Sequence, residues 1–141
     1  MNYDLLSPIS DRLVEDVKLS HFQTFGRSLK LHSSKIIPDL AGIGKIAWTG
    51  GVQMFCADNR WANAEIKSMY RLFTEGCYGD LQEKDWQANV STISSPKEGG
   101  RLMGIYKLSN KKIIWIITSG YKLHHLGGDY CNTIIMFPEE Y

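Results

Sequence analysis

The chain has 141 residues, 43% of them hydrophobic and 22% charged, with 16 Lys and Arg nearly cancelled by 15 Asp and Glu. That length suffices for one compact domain with a real core, and a formal net charge of +1 supplies no long-range field to draw in nucleic acid. No run approaches the roughly 20 apolar residues of a membrane-spanning helix, and "MNYDLLSPIS" puts an acid and a proline where a signal peptide has basic and then apolar residues, so the expected location is the cytoplasm.

The first predicted element is a short helix in "SPISDRLVEDVKL", with Ser7 as N-cap, Pro8 at the first helical position, and Ile9, Leu13 and Val17 on one face. Leu29 and Leu31 alternate with polar neighbours and suggest a short strand, followed by a turn-rich connection marked by Pro38, Gly42 and Gly44. "KIAWTGGVQMFCA" reads as two extended pieces around Thr49-Gly50-Gly51. The clearest helix spans 62–75: Ile66, Met69, Tyr70 and Phe73 recur at helical spacing, Asp58 or Asn59 can cap it, and Gly76 stands at the C-terminal left-handed position. A single helical turn is expected at Glu83 to Asn89, ended by Pro96, Gly99 and Gly100.

The C-terminal third is strand-like. "RLMGIYKL" (101–108) meets "KIIWIIT" (112–118) across Ser109-Asn110-Lys111, a three-residue hairpin whose left-handed position suits Asn, and "NTIIMF" follows a longer loop. These elements predict a single α+β domain over 1–141. Its core is an antiparallel β-sheet, a C-terminal three-stranded meander, with a packed amphipathic helix; residues 1–43 form an N-terminal extension. Ile113-Ile114-Trp115-Ile116-Ile117 puts large apolar groups on both faces of its strand. The helix can cover one face; the other calls for N-terminal segments or a second subunit, and hence for a homo-oligomer.

Chemistry-bearing groups are few. His124 and His125 are adjacent, and neighbours on an extended chain point apart; with Asp129 they are the sole candidates for a metal or a general base, and a solvated loop tip accounts for them better. No serine-hydrolase elbow, zincin helix or Walker loop occurs, since "GIGK" at 42–45 lacks the length and the Ser or Thr. "EGG" at 98–100 and "LGG" at 126–128 can offer backbone N–H groups to an anion or serve as plain turns. Cys56, Cys77 and Cys131 lack paired spacing and read as free thiols. Tyr78, Trp86, Asn89, Arg101, Tyr106 and Trp115 combine flat rings, an amide and a guanidinium, which can stack a base and hold a phosphate or form core packing with an Arg ion pair. No catalytic residue, metal or cofactor is assigned.

Six segments carry a resemblance: "TGGV" (49–52), "GCYGD" (76–80), "DWQAN" (85–89), "GGRLMGIY" (99–106), "IWIITS" (114–119) and "DYCNTIIMFPEEY" (129–141). In order and spacing, residues 44–141 resemble a family of small proteins encoded on prophages, plasmids and other mobile elements. They are also similar to the anti-Thoeris phage proteins, which bind a cyclic ADP-ribose-like immune signal and hold it uncleaved in pockets of an oligomer. The resemblance implies a non-enzymatic inhibitor of bacterial immunity acting in the host bacterial cytoplasm on a cyclic nucleotide-type small molecule. It implies ligand roles for Asn89, Arg101, Asp129 and Thr133, with Tyr78 or Trp86 as the stacking ring. The chain departs from the family at Tyr130, where Arg is usual, at Ser119, where Glu is usual, and in a longer 119–130 loop. Those departures, with the N-terminal addition, point to the alternative of an inhibitor that binds a bacterial defence protein, such as a CRISPR or restriction complex.

Overall fold

The structure, a computed structural model, describes residues 36–141; the helix expected over 7–19 and the strand expected around Leu29 and Leu31 lie outside the described residues. In chain order the elements are β1 (Lys45–Trp48), α1 (Gly50–Asp58), α2 (Arg60–Thr74), α3 (Glu83–Ser94), β2 (Leu102–Lys107), β3 (Ile113–Ser119) and β4 (Asn132–Met136), with 3-10 turns at Ala41–Ile43, His124–Leu126 and Pro138–Glu140. The α+β class is as expected. The sheet differs from the antiparallel three-stranded meander: it has four strands in the order β1-β4-β3-β2, antiparallel from β2 to β4, with β1 added parallel to β4. Every α-helix and every other strand of the described chain lies between the two parallel partners, so no local signal announces their pairing.

Strand alternation explains the two faces. Leu102, Tyr106, Ile114, Ile116 and Ile135 share one face and are fully buried with Ile66, Met69 and Phe73 of α2 in the core. Each such side chain contributes roughly 1.5–3 kcal/mol on removal from water, so the α2 stripe and this face contribute a large part of the driving force. Three hydroxyls inside are satisfied. The Tyr106 hydroxyl donates to the Cys77 carbonyl at 2.6 Å. The Thr133 hydroxyl donates to the Ile43 carbonyl at 2.6 Å, so in the 2.7 Å contact between the hydroxyls of Thr118 and Thr133 the donor is Thr118. On the other face Ile117 and Met136 are buried, while Ile113, Trp115 and Ile134 are half-buried and Tyr141 sets its ring edge against Trp115.

Three local expectations are corrected. The second extended piece after Thr49 is helix α1. Thr49 caps it, its hydroxyl accepting from the Val52 N–H, and the Glu140 carboxylate accepts from the Thr49 hydroxyl at 2.7 Å and from the Gly51 N–H at 3.2 Å. A Cβ on Gly51 would lie 2.6 Å from Glu140 Oε2, so glycine there admits the carboxylate and does not mark a hairpin. The single turn at 83–89 is a full helix to Ser94. In the β2–β3 hairpin the left-handed residue is Lys111, with φ 73°; the Asn110 side chain accepts from the Lys112 N–H at 3.0 Å. Asn59 precedes α2 as expected, but its side chain donates to Phe55 at the end of α1. Gly76, with φ 79°, closes α2 as its position predicts.

Glu140 ties the end of the chain to the start of α1. Burial pulls its carboxyl pKa up, but hydrogen bonds from the Phe137 N–H, the Thr49 hydroxyl and the Gly51 N–H outweigh that and leave it below the ordinary value. A depressed folded-state pKa stabilises the fold above the unfolded value, and the contribution is lost as pH falls through the folded value. Glu140→Gln should therefore cost about 0.5–1 kcal/mol at neutral pH, kept small by exposure to solvent. The gap in thermal midpoint to wild type should narrow progressively as pH falls below the ordinary glutamate range; a gap independent of pH would contradict this.

Candidate functional site

Of the six residues proposed as ligand groups, Tyr78, Asn89 and Thr133 are buried with their polar atoms engaged inside the domain. Asn89 is 2% exposed on α3, and its amide is engaged with β2: Nδ2 donates to the Met103 carbonyl at 2.8 Å and Oδ1 accepts from the Met103 N–H at 3.0 Å. Tyr78 is 3% exposed, and its hydroxyl donates to the Ile36 carbonyl at 2.6 Å. Burial, with Tyr121 and Cys77 nearby, pushes its phenol pKa far up, so it stays neutral. Thr133 is fully buried in the core pair with Thr118. Trp86 is half-buried and packed on the core. Only Arg101 and Asp129 are exposed, Arg101 just before β2 and Asp129 in the loop before β4. Of the wider aromatic group, Tyr106 is core and Trp115 lies under Tyr141.

The reason these groups are occupied is the outer edge of β2. An edge strand leaves every second residue's N–H and C=O unpaired. Here Met103 is closed by Asn89. Ile105 is closed by the loop after α2, donating to the Tyr78 carbonyl at 3.0 Å and accepting from the Asp80 N–H at 2.8 Å. That loop runs so close that a Cβ on Gly79, at φ 72°, would sit 1.8 Å from the Ile105 oxygen, which makes glycine obligatory there. The Thr92 hydroxyl donates to the Arg101 carbonyl at 3.0 Å.

A cleft of about 420 Å³ opens instead at the β1 end of the sheet, lined by Leu40, Ala41, Gly44, Lys45, Ile46, Tyr70, His124, Gly127, Gly128 and Cys131. That volume falls in the range of small-molecule sites. Its floor exists because β1 pairs parallel with β4, setting Lys45 opposite Asn132 and bringing Gly44 against Cys131. Its rim is the 120–131 loop, held by hydrogen bonds from Gly99 N–H to the Tyr121 carbonyl, from Tyr121 N–H to the Gly100 carbonyl and from Lys122 N–H to the Gly42 carbonyl, each at 2.9 Å. His125 helps to pin the loop, contacting the Lys122 carbonyl at 3.1 Å and Glu98 at 3.5 Å. His124 faces the cleft and His125 does not line it, as expected of adjacent residues that point apart.

The two histidines and Asp129 do not form a metal-binding group; among the described residues no cluster of three His, Cys, Asp or Glu is placed to hold an ion. The three cysteines are free. Burial pushes the Cys56 thiol up to about 11 and raises that of Cys131, which lies against the cleft with its thiol donating to the Gly42 carbonyl at 2.9 Å. Raised thiols are poor nucleophiles at neutral pH. The cleft can thus enclose a small molecule between apolar walls and a cationic rim. Of its lining, His124 was singled out in sequence as a metal or base candidate and "LGG" at 126–128 as a possible anion contact; Lys45 stood in a failed Walker match, Tyr70 read as core and Cys131 as a free thiol. Among the described residues no helix is long and apolar enough to cross a membrane.

Compared with known proteins, the chain is matched by no family model, no curated protein and no solved structure.

Removing the Asn89 amide strands both polar groups of Met103 on a covered edge. Asn89→Ala should lower stability by about 2–4 kcal/mol, seen as a lower urea midpoint. An unchanged midpoint would contradict the edge-closing role and free Asn89 to be a ligand group.

Proposed function

We propose that the chain is a non-enzymatic inhibitor of bacterial immunity carried by a phage or other mobile element, and that it acts in the bacterial cytoplasm by sequestering a cyclic nucleotide-type immune signal. The observation that carries this reading is the open cleft at the β1 end, of a size for one small molecule and bordered by Lys45 and His124. The resemblance of residues 44–141 to mobile-element and anti-Thoeris proteins supports the biological setting. Ligand contacts move with it, from Asn89, Tyr78 and Thr133, which are engaged inside the domain, to the cleft lining. Purified protein incubated with a cyclic ADP-ribose-type signal and then heated should release the signal intact, and the signal should raise the thermal midpoint. No recovery and no shift would refute the reading.

A second reading has its own observation. Met54 is 72% exposed and Trp61 41% exposed, beside Phe55 and Phe137 in edge-to-face contact. Such a patch suits a protein partner, and under this reading the target is a defence effector, a CRISPR or restriction complex. Stoichiometric capture of such an effector, abolished by Trp61→Asp with no small molecule bound, would favour it. Half-burial of Ile113, Trp115 and Ile134 on the second face supports the homo-oligomer under either reading. Light scattering should then report a species larger than the 16.0 kDa chain.

A further inference from the structure

We infer that the cleft holds its ligand in one direction, with a phosphate group at Lys45, His124 and Gly128 and the flat apolar part against Leu40 and Ile46. The assignment rests on the small-ligand reading above for the ligand's class; its polarity comes from the distribution of charge and backbone donors. No Asp or Glu is among the described residues lining the cleft. The described ion pairs are Arg71–Glu75, Lys112–Glu139 and His125–Glu98, so the Lys45 ammonium has no acidic partner among the described residues. His124, which also lines the cleft, has among the described residues only an edge contact with His125 at 6.0 Å, which leaves its ring nitrogens available.

The loop adds backbone donors. Gly127 and Gly128 both have positive φ, 73° and 58°, and a Cβ on either meets nothing within 4 Å. Packing therefore does not demand small residues here; the backbone conformation does. The Gly127 N–H is bonded to the His124 carbonyl at 3.1 Å, whereas the Gly128 N–H has no acceptor among the described residues and stands at the cleft. An ammonium, an imidazole and a free N–H around one opening form a site for a compact anion. Leu40 and Ile46 of the same lining offer alkyl groups to a ring. A nucleotide, with a phosphate group and a planar base, satisfies both ends; a free base satisfies one.

The test is calorimetric titration of the full chain with AMP, adenosine and inorganic phosphate, repeated on Lys45→Ala and Lys45→Arg. Lys45 is exposed, so the variants should fold, and a melting curve verifies it. AMP should bind at least tenfold more tightly than adenosine. Lys45→Ala should lose about tenfold for AMP, equivalent to about 1.4 kcal/mol, with adenosine unchanged and Lys45→Arg retaining most of the affinity. Equal binding of AMP and adenosine, no AMP binding, or an AMP affinity indifferent to Lys45→Ala would overturn the inference. Its failure is separable from that of the proposed function. Intact signal released on heating with no Lys45 effect removes only the polarity; Lys45-dependent AMP binding with no signal released removes only the immune role.

Discussion

The constraint on which the structure depends is the closing of an exposed sheet edge. β2 is an edge strand of the sheet, and the N–H and C=O groups of Met103 and Ile105 point away from β3. Left bare they would recruit another chain or lose free energy to poor pairing under the neighbouring helix. The Asn89 amide satisfies one residue and the Tyr78–Asp80 backbone the other. This places α3 beside the sheet and fixes the course of the loop after α2. It also leaves the aromatic residues of that region, Tyr78 and Tyr106, as neutral buried groups whose hydroxyls serve backbone carbonyls.

With that side of the domain closed, a cleft opens at the other end of the sheet. There β1 is short, the 120–131 loop is long, and the parallel pairing of β1 with β4 leaves room between the loop and the 40–46 segment. The loop is anchored at its base by Gly99, Gly100 and Gly42 and by the His125–Glu98 contact, so its glycine tip projects from a fixed frame. Binding sites built on loops held by a rigid sheet are the general pattern. The core pair of Thr118 and Thr133, running to the Ile43 carbonyl, joins this end of the sheet to the segment before β1.

Much of the fold was legible because it is written locally. The α2 stripe of Ile66, Met69, Tyr70 and Phe73, the closing Gly76, and the β-branched strands around the 109–111 turn all carry their signal within a few residues. What was not legible depends on partners far along the chain. Gly50-Gly51 reads as a turn until Glu140 is known to accept from Thr49 and Gly51, and β1 reads as a hairpin arm until β4 is known to lie parallel to it. The same holds for the candidate site. Asn89 has the chemistry of a ligand group, and only the register of Met103 beneath it assigns that amide to the sheet. Lys45 looked incidental because the loop that makes it a rim residue comes three helices and two strands later in the chain.

Native-state hydrogen exchange at the Met103 and Ile105 amides tests the edge closure most directly. The account predicts that both exchange only with global unfolding, as slowly as the central Ile116 amide. Exchange of Met103 and Ile105 at the rate of an open edge, with Ile116 still protected, would contradict it.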